Sequence, residues 1–239
     1  MELNKYIEHT NLDARATLKD IETLCEEAKK YHFETVCVNP FYVPLAKELL
    51  NGSNVGIATV IGYPLGMNTI QTKEYEAIDA INNGADEIDM VINVGCVKNK
   101  DYDLIRKEIE TVRDSIDGHP LKVIIEECNL EEDEIIKLTE VCNETFVNFI
   151  EIVPNFETKG SIVEVVEFLN QHKGEILEIK ASGEIQTEEE AIKMIEAGVT
   201  RMGTSHGVEI VTAKKCCGEK EACNCSNKCE HEHCHCEED

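Results

Sequence analysis

Short apolar runs alternate with stretches of helical period along most of the chain, and this alternation constrains the fold more than any other feature. The runs are Tyr6–His9, Phe33–Val38, Val55–Ile61, Glu87–Ile92, Lys122–Glu126, Phe149–Val153, Ile176–Lys180 and Arg201–Thr204. Between them, Thr17–Tyr31, Thr72–Asn82, Tyr102–Ser115, Glu132–Cys142, Ile162–His172 and Thr187–Ala197 carry apolar residues three and four apart. Strands that alternate with helices imply a parallel sheet with helical crossovers. No glycine-rich phosphate loop follows the first run and the units are evenly spaced, so a closed (β/α)8 TIM barrel is expected rather than an open sheet. The 239 residues, 42% of them hydrophobic, suffice for one such α/β domain, which is assigned to residues 1–212.

From residue 213 to 239 the composition changes, with almost no large apolar side chain to pack. This segment is expected to be a Cys/His-rich tail, disordered without metal. The formal charge of -25 argues against binding to nucleic acid, because a polyanion is repelled by such a surface. No run reaches the length of a membrane span and the start MELNKYIEH lacks the marks of a secretory signal, so a cytoplasmic location is expected. Cys25, Cys37, Cys96, Cys128 and Cys142 are scattered, a pattern that suits reduced thiols and not a disulfide framework.

In such barrels the C-terminal strand ends line the active site, which directs attention to Asn39, Gly62, Asp89, Glu126, Glu151, Lys180 and the loop Gly203–Gly207. Asp89, Lys122, Glu126 and Lys180 interrupt otherwise apolar strands. Charges facing a barrel interior are costly unless paired or functional, so they form either a structural ion-pair network or a reactive centre.

Seven blocks occur in order: IEHTNL at 7–12, VCVNPFYVPLA at 36–46, IGYPLG at 61–66, GADEIDMVINVG at 84–95, KVIIEECNL at 122–130, IKASG at 179–183 and GTS at 203–205. Together they resemble the deoxyribose-phosphate aldolase family over nearly the whole barrel. The resemblance implies cleavage of 2-deoxyribose 5-phosphate to glyceraldehyde 3-phosphate and acetaldehyde through a lysine Schiff base, with no cofactor and in a homo-oligomer. It assigns Asp89 to the proton relay and Lys180 to the second lysine, whose charge lowers the pKa of the nucleophile. It also matches Cys37 to a cysteine near the substrate pocket, although burial is the ordinary fate of a strand cysteine.

The family's nucleophile lies in a strand reading Phe-Val/Ile-Lys-Thr-Ser-Thr-Gly, and the matching stretch here runs from Phe149 to Asn155 with Glu151 at the lysine position. A carboxylate cannot form an imine, and it would stabilise the ammonium form of Lys180. The phosphate cradle is altered too: the resemblance maps it onto Gly183, Glu184, Gly203, Ser205 and His206, and Glu184 would repel a phosphate. Asn155 stands where the family has glycine.

Three readings stay open. The barrel is a repurposed aldolase that still takes a small phosphorylated sugar or related ligand; or Lys180 has become the nucleophile with Glu151 as general base; or the barrel carries a metal-buffering tail. Within the mouth, Asp89, Glu151, Glu184 and His206 offer ligands for a divalent ion. In the tail, Cys216, Cys217, Cys223, Cys225, Cys229, His231, His233, Cys234, His235 and Cys236 have the density of a flexible chelator of Zn, Cu(I) or Ni, without the paired knuckles of a zinc finger.

Overall fold

The computed structural model describes residues 1–126, 130–153, 162–183 and 185–213. Its strands are β1 (Ile7–Asn11), β2 (Thr35–Val38), β3 (Gly56–Ile61), β4 (Glu87–Val91), β5 (Leu121–Glu126), β6 (Phe149–Val153), β7 (Glu178–Ser182) and β8 (Arg201–Thr204). They pair in parallel in chain order, and β1 pairs with β8 to close the barrel. All eight expected runs are therefore strands of one (β/α)8 barrel. Two shift in register with the expectation: β1 continues to Asn11, and β7 starts at Glu178 and ends at Ser182.

The helices are α1 (Leu18–Tyr31), α2 (Val43–Leu49), α3 (Ile70–Asn83), α4 (Val94–Lys98), α5 (Tyr102–Ser115), α6 (Glu132–Glu144), α7 (Ile162–His172), α8 (Glu188–Ala197) and α9 (Gly207–Thr212). The short helices α2, α4 and α9 escape a periodicity argument because each presents two turns or fewer. The long ones begin where a side chain can take up free backbone N–H groups. Thr17 accepts from the amide of Asp20 while Asp20 accepts from that of Thr17, and Thr187 and Glu190 repeat this box at α8.

Strand alternation sorts the side chains into two shells. Ile88, Met90, Val123, Ile125, Ile150, Ile152, Ile179 and Met202 point outward and are buried against the helices, where they meet Ile105, Ile109, Leu138, Val166 and Leu169. Each such side chain removed from water stabilises the fold by about 1.5–3 kcal/mol. Inside, Cys37, Ala58, Val60, Val91 and Ile124 make a separate small apolar cluster toward β2–β5. The rest of the interior is largely polar or charged, with the Phe149 ring against Lys122 and Arg201.

Among the described residues no helix is long and apolar enough to cross a membrane. Cys128, Asn155, Glu184 and the tail residues Cys216, Cys217, Cys223, Cys225, Cys229, His231, His233, Cys234, His235 and Cys236 lie outside the described residues. The last described helix ends at Thr212.

The loop from β3 to α3 is held tightly against β4. Gly66, at φ +67°, donates its amide to the carbonyl of Gly62 at 2.7 Å, and a Cβ there would stand 1.9 Å from the carbonyl oxygen of Ile92. Gly66→Ala is expected to cost roughly 2 kcal/mol or more, from strain and overpacking together. A urea midpoint equal to that of the parent would show that the loop yields instead.

Candidate active site

The register of the strands sets charged residues side by side: Asp89 is opposite Lys122, Glu151 opposite Lys180, and Lys180 opposite Arg201. The Lys180 ammonium lies 2.5 Å from Oδ2 of Asp89 and 3.1 Å from Oε1 of Glu151, and also contacts Oε1 of Glu8. Lys122 reaches Oδ1 of Asp89 at 2.7 Å, Oε2 of Glu8 at 3.0 Å and Oε2 of Glu87 at 2.6 Å. Arg201 completes the set, donating to Glu87 at 3.1 Å and to the hydroxyl of Thr35 at 3.3 Å. Glu8 and Asp89 thus each straddle both lysines. Glu8, Asp89, Lys122, Glu151 and Lys180 are all at most 3% exposed.

The strand charges are paired, in a network larger than the sequence suggests, and three of its members also face the cavity. Glu8, Glu87 and Arg201 were not singled out. Glu87 and Arg201 had a legible signal, since each sits two residues before a position that points to the barrel centre, Asp89 and Gly203. Glu8 had a weaker one, an acid directly after Ile7 in an apolar start.

Burial and neighbours act on these groups in opposite senses. Burial pushes the Glu8 carboxyl up, but Lys122, Lys180 and Arg201 more than offset it and hold Glu8 well below the usual carboxylate range. Asp89 goes the other way: burial and the charge of Glu8 raise it from 3.8 to about 7 against the pull of Lys122 and Lys180. Burial disfavours both ammonium groups, yet Asp89 and Glu8 at Lys122, and Asp89, Glu151 and Glu8 at Lys180, leave both above the ordinary lysine value.

Above this network the barrel opens into a cavity of about 810 Å³, lined in part by Cys37, Asp89, Glu151, Lys180, Ser182, Gly183, Gly203 and Ser205. Ser182 donates to Oε1 of Glu151 at 2.6 Å. A Cβ at Gly203 would meet the Ser182 hydroxyl at 2.2 Å, so only glycine leaves that hydroxyl its place. The Gly183 amide is already given to the Gly203 carbonyl at 3.1 Å.

Seven of the residues singled out in sequence therefore share the cavity: Cys37, Asp89, Glu151, Lys180, Gly183, Gly203 and Ser205. His206 does not line it. Its amide caps the turn by donating to Thr204 at 2.9 Å, and its ring lies 3.9 Å from Glu209 on the first turn of α9. A metal site joining Asp89, Glu151 and His206 is not assembled among the described residues. The ligand atoms that do converge belong to Glu8, Cys37 and Asp89, and both carboxylates there are engaged by lysines. The Cys37 thiol is 2% exposed, and burial with the charges of Glu8 and Asp89 raises its pKa, which disfavours the thiolate.

Fold and centre together define a (β/α)8 barrel with paired lysines and carboxylates inside the strand ring, beneath the C-terminal mouth. A family model described as DeoC/LacD family aldolase matches residues 4–152. The deoxyribose-phosphate aldolase of Mannheimia succiniciproducens is 47% identical over 210 residues, covering 88% of this chain and 94% of the relative. Among solved structures, the aldolase QR15 superposes with a TM-score of 0.83 at 35% identity, covering 88% of this chain and 94% of the other. The tetrameric deoxyribose phosphate aldolase of Aeropyrum pernix gives 0.80 at 26% identity, covering 87% and 89%. The chain belongs to the DeoC/LacD aldolase family.

Two expectations follow from the network. Lys122→Met leaves Glu8, Glu87 and Asp89 without their shared cation and should cost about 3–5 kcal/mol in chemical denaturation at neutral pH. Asp89, with a folded-state pKa above its unfolded value, contributes stability that is full below about pH 4 and is lost as pH rises through about 7. The stability of Asp89→Asn relative to the parent should therefore increase between about pH 5 and about pH 8; a constant or falling difference would contradict the assignment.

Proposed function

We propose that this chain is an aldolase-family barrel that has left the imine reaction and keeps its mouth as a binding site for a small hydroxylated ligand. The observation that carries this reading is the Glu151 carboxylate, 3.1 Å from the Lys180 ammonium on the strand where the family resemblance places a nucleophilic lysine. A carboxylate has no nitrogen lone pair to offer a carbonyl, so Glu151 itself cannot begin an imine. Lys180 does not supply a ready replacement. Its nitrogen must lose a proton before attack, and Asp89, Glu151 and Glu8 hold that proton in place.

The anion cradle supports the same reading, since the Gly183 amide is spent on Gly203 and the His206 ring faces Glu209. The tetramer of the Aeropyrum relative supports assembly of this chain into homo-oligomers.

The test is cleavage of 2-deoxyribose 5-phosphate, read by coupled reduction of the released glyceraldehyde 3-phosphate, in the parent, Glu151→Lys and Lys180→Ala. The parent is expected to show no turnover, and borohydride added with the substrate should trap no adduct on Lys180. Turnover in the parent that vanishes in Lys180→Ala would overturn the proposal and establish Lys180 as a relocated nucleophile.

A further inference from the structure

The mouth of the barrel has an unbalanced set of hydrogen-bonding groups. Glu151 is 3% exposed, and its Oε1 takes both the Ser182 hydroxyl and the Lys180 ammonium. Its Oε2 is buried and has no partner among the described residues. Nδ1 of His9 is in the same condition. The other ring nitrogen of His9 lies 2.8 Å from Oε2 of Glu27, which in the neutral imidazole makes Nε2 the donor and leaves Nδ1 an acceptor. Glu151 faces the cavity from inside the barrel, whereas His9, next to the inward Glu8, turns toward Glu27 on α1, and Arg201, whose Nε is the remaining buried atom without a partner, does not line the cavity. The unmet demand inside the mouth is for a donor at Oε2 of Glu151.

The charge around the cavity has the same sense. Asp13, Asp20, Glu27, Asp89 and Glu151 line it, and Lys180 is the one lysine or arginine among the described lining residues. Lys180 is already surrounded by three carboxylates. The phosphate group of a sugar phosphate brings acceptors and negative charge to a wall that lacks neither, and it offers no donor to Oε2 of Glu151. A protonated amine brings donors and the opposite charge, and its bond to a carboxylate is of the stronger, charge-assisted kind.

We propose that the mouth of this barrel binds a small hydroxylated primary amine in its ammonium form, an amino sugar or aminopolyol, with the ammonium on Oε2 of Glu151. The hydroxyls of such a ligand supply further donors, and a cavity of about 810 Å³ accommodates a molecule of sugar size. The inference rests on the reading that this site has left the imine reaction, and it names the ligand class that replaces the phosphorylated sugar.

The experiment is titration calorimetry on the full chain at a pH where the amine is protonated. The probes are glucosamine, N-acetylglucosamine, which keeps the hydroxyls and loses the ammonium, and 2-deoxyribose 5-phosphate. Glucosamine should bind, and the other two should bind at least about tenfold more weakly. Glu151→Gln, which keeps the shape and removes the charge, should weaken glucosamine by about tenfold or more. Equal binding of glucosamine and N-acetylglucosamine, no binding of glucosamine, tighter binding of the phosphate ester, or full affinity in Glu151→Gln would each overturn the inference. The comparison of the first two probes needs no variant and decides the matter even where Glu151→Gln misfolds. Cleavage of 2-deoxyribose 5-phosphate by the parent would overturn the underlying reading; no cleavage without ammonium preference would overturn this inference alone.

Discussion

Glu8 and Asp89 each bridge Lys122 and Lys180 inside the closed barrel, and the rest of the structure is arranged around that fourfold contact. Buried charge is expensive, and pairing repays the cost only where geometry is close and the remaining oxygens and protons are also satisfied. Closing the sheet meets that condition by bringing β1 on one side and β7 on the other to face β4 and β5. An open sheet would leave Glu8 far from Lys180. The outer shell of isoleucine and methionine supplies the apolar burial that a charged interior cannot.

Much of this was legible in the sequence, for reasons that can be traced to particular residues. The runs around Ile57, Ile88, Val123 and Ile150 are apolar because their outward faces pack on helices, and even spacing follows from one crossover per strand. Charges interrupting apolar strands also exposed Asp89, Lys122, Glu126 and Lys180, and the strand-end rule exposed Glu151. What escaped depended on contacts between distant segments. Glu8 and Lys180 are separated by 172 positions in sequence, and no local pattern marks them as partners. His206 lies beside a glycine-rich strand end and reads as a mouth residue, yet the first turn of α9 swings its ring toward Glu209. Helices as short as α4 offer too few positions to display a period.

Glu151 shows how one side chain can set the character of a site whose framework is shared with many relatives. Its backbone position is fixed by pairing with Lys180 on β7 and Ile124 on β5. Its rotamer is fixed by the Ser182 hydroxyl, for which Gly203 keeps room. The carboxylate is therefore held at the floor of the mouth by three strands, with one oxygen satisfied from within and the other buried without a partner among the described residues.

The interior holds Glu8, Glu87, Asp89 and Glu151 against Lys122, Lys180 and Arg201, an odd set of acids over bases. The set has one acid more than it has bases, and burial with the charge of Glu8 raises Asp89 to about 7, so the charge of this interior responds to pH near neutrality. The proton on Asp89 is then a component of the fold, with an occupancy set by the surrounding medium much as a metal's would be.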